Sequence, residues 1–199
     1  MSTADWQPRF DVAIKDSEGD LFRYFLRRIS NPADAAEAYG ELLITAWKLH
    51  RKMPTDATEA RMWLFGVAHN VLRSTRSTRS TRRTRSTRRT RRTRRTFARH
   101  SAAVQRFADE LRTTPAPQPD EKGIELRDAI ASLSAGEAEL VRLIYWDGFK
   151  SHEAAAILGI NPSTVRSRMT KAKAQLRALL SPAQPEPVNP AHIPCLSVR

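Results

Sequence analysis

The chain has 199 residues, 40% of them hydrophobic, and a formal net charge of +13. This length and composition predict one or two small domains with modest cores. The single cysteine, Cys195, excludes an intrachain disulfide and a cysteine-rich zinc site. The longest uninterrupted apolar run, residues 154–158, is far too short to cross a membrane, and the N-terminus lacks the apolar core of a signal peptide. We therefore expect a soluble, cytoplasmic protein.

The first part of the chain is predicted to form a helical domain over residues 10–76. Apolar side chains recur at helical spacing in three stretches, which are separated by Asn31-Pro32 and by a loop that ends near Thr58. Trp47 lies in the apolar stripe of the second stretch, so we expect it in the core. The pattern predicts three amphipathic helices that pack against one another.

An arginine and threonine repeat follows at residues 77–96. Threonine stands at every third position from Thr75 to Thr96, and residues 73–96 contain twelve arginines and no acidic residue. A three-residue step does not keep a side chain on one face of an α-helix, so the repeat offers no apolar face to pack. We expect only its first turns to continue the preceding helix. The repeat is either an arm that binds phosphates without sequence specificity or a tolerated expansion, and the sequence favours neither.

The rest of the chain is predicted to contain a linker, a second helical domain and a tail. Residues 97–123 combine a weak helical pattern at 104–111 with a proline-rich stretch, and residues 181–199 are proline-rich and expected to be disordered. Residues 124–180 between them show helical periodicity. The predicted fold class is all-α, with two small helical domains joined by a flexible linker, the second a helix-turn-helix.

The helix-turn-helix is predicted from four residues at fixed offsets. Ala155 is small enough to let two helices cross closely, and Gly159 can adopt the left-handed conformation that ends a helix. Pro162 suits the first turn of the next helix, and Val165 points back into the crossing. Residues 162–177 carry five basic residues and no acidic one. This pattern is typical of a recognition helix for the major groove of DNA.

The predicted recognition helix directs basic and hydroxyl side chains away from the crossing. These are Arg166, Ser167, Thr170 and Lys171. The helix before it is expected to begin at a Ser151 cap, because Lys150 stands where Ser or Thr would complete a capping box with Glu153.

Three stretches carry a family pattern. Residues 34–47 (DAAEAYGELLITAW) are similar to an acidic, polymerase-binding helix. Residues 63–70 (WLFGVAHN) are similar to a helix with the pattern W-L-x-x-I-A-x-N. Residues 126–176 are similar to a promoter-binding domain, in which the most specific part is TVRSR at 164–168. On these residues the chain resembles the extracytoplasmic-function sigma factors of bacterial RNA polymerase. It departs from the pattern at Gly40, where the family carries glutamine, and in the arginine repeat.

The resemblance implies a specificity subunit of RNA polymerase. The first domain would bind the polymerase and act at the −10 element, while the second would bind the −35 element of duplex DNA. The implied partners are bacterial RNA polymerase core and promoter DNA, with an anti-sigma factor left open and no membrane insertion. The implied site residues are Thr164, Arg166, Ser167, Arg168, Thr170 and Lys171 for the −35 element, His69, Asn70 and Arg73 for the −10 element, and Glu37 and Glu41 for polymerase.

Two other functions are compatible with the same residues. A polymerase-independent helix-turn-helix regulator would need a dimerising or ligand-binding domain, for which residues 10–72 offer no obvious surface. A nucleoid-binding protein that relies on the repeat would bind without sequence preference and with strong salt dependence. An enzyme is not expected, because the seven glycines form no phosphate loop and the five histidines lack metal-ligand spacing. We therefore predict no catalytic residue, no cofactor and no metal.

Overall fold

The computed structural model describes residues 6–81 and 121–181, which form α-helices, one short 3₁₀ helix and no strand. The elements are α1 (Trp6–Leu26), α2 (Pro32–Lys48), a 3₁₀ helix (His50–Lys52), α3 (Ala57–Thr81), α4 (Glu121–Ser132), α5 (Ala135–Tyr145), α6 (Ser151–Leu158) and α7 (Pro162–Leu180). The all-α fold class is confirmed. None of the helices described is long and apolar enough to span a membrane.

The element boundaries differ from the predicted ones at several ends. Helix α1 begins at Trp6, ahead of the predicted start of the first domain, whereas α3 continues to Thr81, as expected for the first turns of the repeat. Helix α4 begins at Glu121, inside the predicted linker. The weak helix predicted at 104–111, most of the repeat and the predicted tail after Ser181 lie outside the described residues.

Helices α1, α2 and α3 form the first unit around an aromatic and aliphatic core. Asn31 caps α2 by accepting a hydrogen bond from the Ala33 N–H at 2.9 Å, with Pro32 in the first turn. The fully buried side chains include those of Leu21, Tyr24, Phe25, Leu42, Leu64 and Phe65. The three-helix packing predicted from the apolar periodicity is therefore found.

The prediction that Trp47 lies in the core is wrong. The residue is 40% exposed. It lies at the last turn of α2, where its ring contacts the edge of Trp6 at a centroid distance of 4.8 Å and that of Phe10 at 5.7 Å. Because neighbouring rings cover only part of the indole, the last position of the apolar stripe remains at the surface.

Helices α4 to α7 form the second unit. Helix α5 begins with a capping box in which Ser134 and Glu137 hydrogen-bond each other's backbone N–H groups. The prediction that Ser151 caps α6 is wrong, because Lys150 occupies the N-cap position. The Glu153 carboxylate accepts the Lys150 backbone N–H at 2.7 Å. This half of a capping box needs only a backbone donor, so it forms without Ser or Thr at the cap.

The two units are in direct contact, with α3 against α6. The Phe65 ring meets the Phe149 ring edge-on at a centroid distance of 4.7 Å. A Cβ on Gly66 would lie 3.9 Å from the carbonyl oxygen of Ile157, which is ordinary van der Waals contact. The two units therefore pack against each other through α3 and α6.

Candidate nucleic-acid interface

The turn between α6 and α7 has the geometry that the sequence predicts. Gly159 adopts a left-handed conformation with φ of 64°, and the Ile160 N–H donates to the Ala155 carbonyl oxygen at 3.0 Å. This pattern satisfies carbonyl groups at the end of α6. Asn161 then caps α7 by accepting the Ser163 N–H at 2.9 Å, with Pro162 in the first turn.

Helix α7 has one buried face and one exposed, basic face. Val165, Met169 and Ala172 are buried against the rest of the unit. Full burial of a side chain the size of Val165 contributes about 2 kcal/mol to stability. Most of the predicted −35 residues lie on the exposed side: Arg166, Ser167, Arg168, Thr170 and Lys171 are exposed, and Thr164 is half-buried. The structure thus brings the predicted −35 set together on one helix.

The hydroxyl groups of this face are held by the helix itself. The Ser167 hydroxyl donates to the Thr164 carbonyl oxygen at 3.1 Å, and the Thr170 hydroxyl donates to the Arg166 carbonyl oxygen at 3.0 Å. Both oxygens retain lone pairs that can accept a hydrogen bond from a base or a nearby side chain.

Two predicted DNA contacts have neighbours on α5 that the sequence analysis did not identify. The Lys171 Nζ lies 3.3 Å from the Glu137 Oε1. Hydrogen bonds from Ser134, followed by this lysine, hold the pKa of Glu137 below its ordinary value. Arg168 packs over Gly136, where an added Cβ would lie only 3.0 Å from the guanidinium Nη1. The Ser134-to-Glu137 spacing is a capping-box signal that could have located Glu137.

The predicted −10 residues divide between two environments on α3. Asn70 and Arg73 are three positions apart on the helix and both exposed. His69 faces the second unit with a side chain that is 16% exposed, and its Nδ1 lies 3.9 Å from the Glu139 Oε1. That nitrogen has no hydrogen-bond partner among the described residues. The structure therefore separates His69 from the exposed pair.

The predicted polymerase-binding residues lie together on α2. Glu37 and Glu41 are four positions apart, which places them on one face, and both are exposed. A Cβ on Gly40 beside them would meet nothing within 4 Å. The surface around these two carboxylates is thus open.

A buried ion-pair cluster between the units was not predicted from the sequence. Arg28, on the turn after α1, donates through Nε to both Glu139 oxygens at 2.9 and 3.0 Å, and through Nη2 to the Asp147 Oδ2 at 2.8 Å. Tyr24 donates its hydroxyl to Glu139 at 3.0 Å, and the Arg28 guanidinium lies 3.6 Å from the Tyr24 ring centroid. Arg27 also pairs with Asp147. Glu139 and Asp147 of the second unit are therefore both bound by side chains of the first unit.

Arg61 of α3 extends this cluster. Its Nη2 donates to the Asp147 backbone carbonyl oxygen at 2.9 Å and to the Asp20 Oδ2 at 3.1 Å. Its guanidinium lies 4.4 Å from the ring centroid of Phe149, a cation–π contact. Basic side chains of the first unit thus reach the second unit at several points.

The electrostatic environment favours the charged form of Glu139. Burial by itself raises the pKa of this carboxyl, but the nearby His69, Arg28 and Tyr24 outweigh burial and lower the pKa to about 2. Burial raises the pKa of the Tyr24 phenol well above its ordinary value. Tyr24 therefore stays a hydrogen-bond donor and Glu139 an anion at neutral pH.

The described residues contain no group of three or more His, Cys, Asp or Glu side chains that could hold a metal ion. The second unit instead exposes basic and hydroxyl side chains on one face of α7. This face has the donor groups that bind phosphates and base edges in the major groove.

Comparison with known proteins relates this chain to one family. Residues 123–176 match the family model described as "Sigma-70, region 4". The chain is 31% identical over 165 residues to the ECF RNA polymerase sigma factor SigL of Mycobacterium tuberculosis, covering 80% of this chain and 82% of that protein.

Two solved structures share the fold. One is the sigma factor RpoE in complex with the anti-sigma factor NepR from Bartonella quintana, with a TM-score of 0.54, 18% identity and coverage of 90% of this chain and 99% of that one. The other is CnrH in complex with the cytosolic domain of CnrY, with a TM-score of 0.54, 21% identity and coverage of 87% and 88%. The match to region 4 and the similarity to SigL along most of both chains lead to one conclusion: this chain belongs to the extracytoplasmic-function sigma factors of RNA polymerase.

Proposed function

We propose that this sigma factor directs RNA polymerase core to promoters, with the first unit acting at the −10 element and α7 reading the −35 element. The observation that carries the second assignment is the division of α7 into a buried apolar face and an exposed face that includes Arg166, Ser167, Thr170 and Lys171. A helix held by its apolar side, with basic groups opposite, can enter the major groove without unfolding its own unit.

The first unit supplies the other contacts. Asn70 and Arg73 are exposed on α3 and are proposed to contact the opened −10 strand, where an amide can hydrogen-bond a base and an arginine a phosphate. Glu37 and Glu41 on α2 are proposed to bind the polymerase. His69 is proposed to contact the −10 element together with Asn70 and Arg73. It becomes accessible to DNA only if the two units separate, because Glu139 of the second unit lies next to it.

A run-off transcription assay tests the function. Purified core polymerase is combined with this protein on fragmented genomic DNA of the source organism, and the start sites are mapped. Defined start sites that require the protein are expected. Binding to DNA fragments without any polymerase-dependent start site would instead favour a polymerase-independent regulator, and equal binding to all fragments would favour a nucleoid-binding protein.

Regulation by a protein inhibitor is a further part of the proposal. One structural neighbour is a sigma factor bound to an anti-sigma factor, and the present chain shares its fold. We propose that this chain also has an anti-sigma partner, which is tested by adding candidate inhibitors to the run-off assay. We assign no catalytic role, and we assign the cytoplasm as its location because bacterial polymerase and chromosomal DNA are there.

A further inference from the structure

The contact between the units covers a cationic face of the first unit. Arg27, Arg28 and Arg61 form this arginine face, and the second unit covers it with Glu139 and Asp147. The side chains of Arg28 and Asp147 are 0% exposed and that of Glu139 is 7% exposed. Asp20 neutralises Arg61 in part. The two positive charges of Arg27 and Arg28, on the turn after α1, therefore match the two negative charges of Glu139 and Asp147.

The arginine face has the chemistry of a phosphate site. The Arg28 guanidinium binds one carboxylate through Nε and a second through Nη2, at 2.9 and 2.8 Å. The planar fork of arginine binds phosphate oxygens in the same way as carboxylate oxygens. Two carboxylates in these positions therefore occupy donors that a nucleic-acid backbone can also use.

The location of the arginine face also favours nucleic-acid binding. Arg61 lies on α3, the helix that also carries His69, Asn70 and Arg73. His69 is turned into the same contact, where its Nδ1 is 3.9 Å from Glu139. Separation of the units would therefore expose His69 and Arg61 together on α3.

The spacing of promoter elements requires the two units to separate. The −35 and −10 elements lie about 25 base pairs apart, or about 85 Å along B-form DNA. A compact body of the described size is only about 40 Å across. With α3 packed on α6, the chain cannot reach both elements at once.

We propose that Glu139 and Asp147 close, from within the chain, a nucleic-acid phosphate-binding site formed by the arginine face, and that this site opens when the units separate on the promoter. The inference rests on the proposed function, since it uses the positions of the −10 and −35 elements. The apparent affinity of this site for DNA is then its intrinsic affinity multiplied by the fraction of molecules in which the units are separated.

The main test removes the two carboxylate charges from the full chain. The double variant Glu139→Gln, Asp147→Asn keeps side-chain shape but removes both anions. Separation of the units is measured by energy transfer between dyes on Lys15→Cys and Gln175→Cys, both exposed positions, in a Cys195→Ser background. Binding is measured with a 20-nucleotide oligothymidylate at fixed salt. We expect energy transfer to fall and the oligonucleotide to bind at least about fivefold more tightly, the lower end of typical coupling between sites.

A matched control separates this effect from a general change of charge. Glu125→Gln with Asp128→Asn removes the same two charges from exposed positions on α4 of the same unit. It should leave energy transfer unchanged and alter affinity by less than about twofold, because exposed charges are screened. Adding Arg27→Gln and Arg28→Gln to the main variant should abolish the gain.

Several outcomes would overturn the inference. Unchanged energy transfer in the main variant means that the carboxylates do not hold the units together. If energy transfer falls but the oligonucleotide binds no more tightly than to the control, the arginine face does not bind nucleic acid. The same conclusion follows if the tighter binding persists after Arg27 and Arg28 are replaced.

The labelled protein that carries no interface substitution gives a test that does not depend on the variants folding. Saturating oligothymidylate should lower its energy transfer, because its phosphates compete with Glu139 and Asp147 for the arginines. Unchanged energy transfer at saturation would mean that nucleic acid does not open the contact and would contradict the inference. Failure of run-off transcription by the unmodified protein would instead contradict the proposed function, so the two failures are distinguishable.

Discussion

Arg166→Ala and Lys171→Ala should weaken −35 binding to different extents, although both residues lie on the exposed face of α7. Arg166 forms no ion pair within the described part of the chain, so its guanidinium is available to DNA. Lys171 is paired with Glu137 at 3.3 Å and must leave that partner to contact a base or phosphate. The Glu137 carboxylate keeps its Ser134 hydrogen bonds when the lysine leaves.

The expected magnitudes follow from these contacts. A bidentate contact between arginine and guanine contributes about 1–3 kcal/mol of discrimination, which corresponds to roughly 5- to 150-fold in Kd. Lys171 gains a comparable contact but loses an exposed ion pair that contributes about 0–1 kcal/mol. We therefore expect Arg166→Ala to cost about 2 kcal/mol and Lys171→Ala about 1–2 kcal/mol, the difference being the contribution of the ion pair.

Fluorescence anisotropy with two DNA duplexes measures the difference. One duplex carries the −35 element of a promoter mapped by run-off transcription and the other carries a scrambled version. Arg127→Ala, an exposed cation on α4, is the control for loss of one positive charge. Equal losses for Arg166→Ala on both duplexes would show a phosphate contact only. A loss for Lys171→Ala as large as that for Arg166→Ala would refute the argument from the Glu137 ion pair.

Three further predictions concern other parts of the molecule. Glu139 has a pKa of about 2 against an ordinary value of 4.5, so its contribution to folding is complete above about pH 4.5 and is lost as pH falls towards 2. The difference corresponds to about 3 kcal/mol, and urea unfolding between pH 7 and 2 should show this loss in the unmodified protein but not in Glu139→Gln. Glu41→Arg should weaken binding to core polymerase in a pull-down while changing the melting temperature little, because the side chain is exposed; normal polymerase binding would exclude the proposed surface on α2. Deleting residues 77–94 removes nine arginines and should flatten the dependence of non-specific DNA affinity on salt while start sites stay the same; start sites at different promoters would show that the repeat takes part in recognition or spacing.

The helix-turn-helix can be predicted from the sequence alone. Its signals are local: Gly159 ends one helix, Pro162 begins the next, and Val165 points back into the crossing. Each signal depends on backbone geometry or helical spacing within a few residues, so it can be recognised without knowledge of the fold. The same reasoning located the three helices of the first unit.

The buried ion pairs, the exposure of Trp47 and the orientation of His69 depend on contacts between distant parts of the chain. Arg28 meets Glu139 and Asp147 across 111 and 119 positions of the chain, and no local pattern distinguishes these charges from those of a solvated helix face. Trp47 has the periodicity of a core residue, yet it stays 40% exposed because the packing of α2 ends beside it. His69 and Asn70 are neighbours in sequence, but a helix turns about 100° per residue, so one faces the second unit and the other faces solvent. Which side of a helix another unit covers depends on contacts between distant segments, and those contacts exist only in the folded chain.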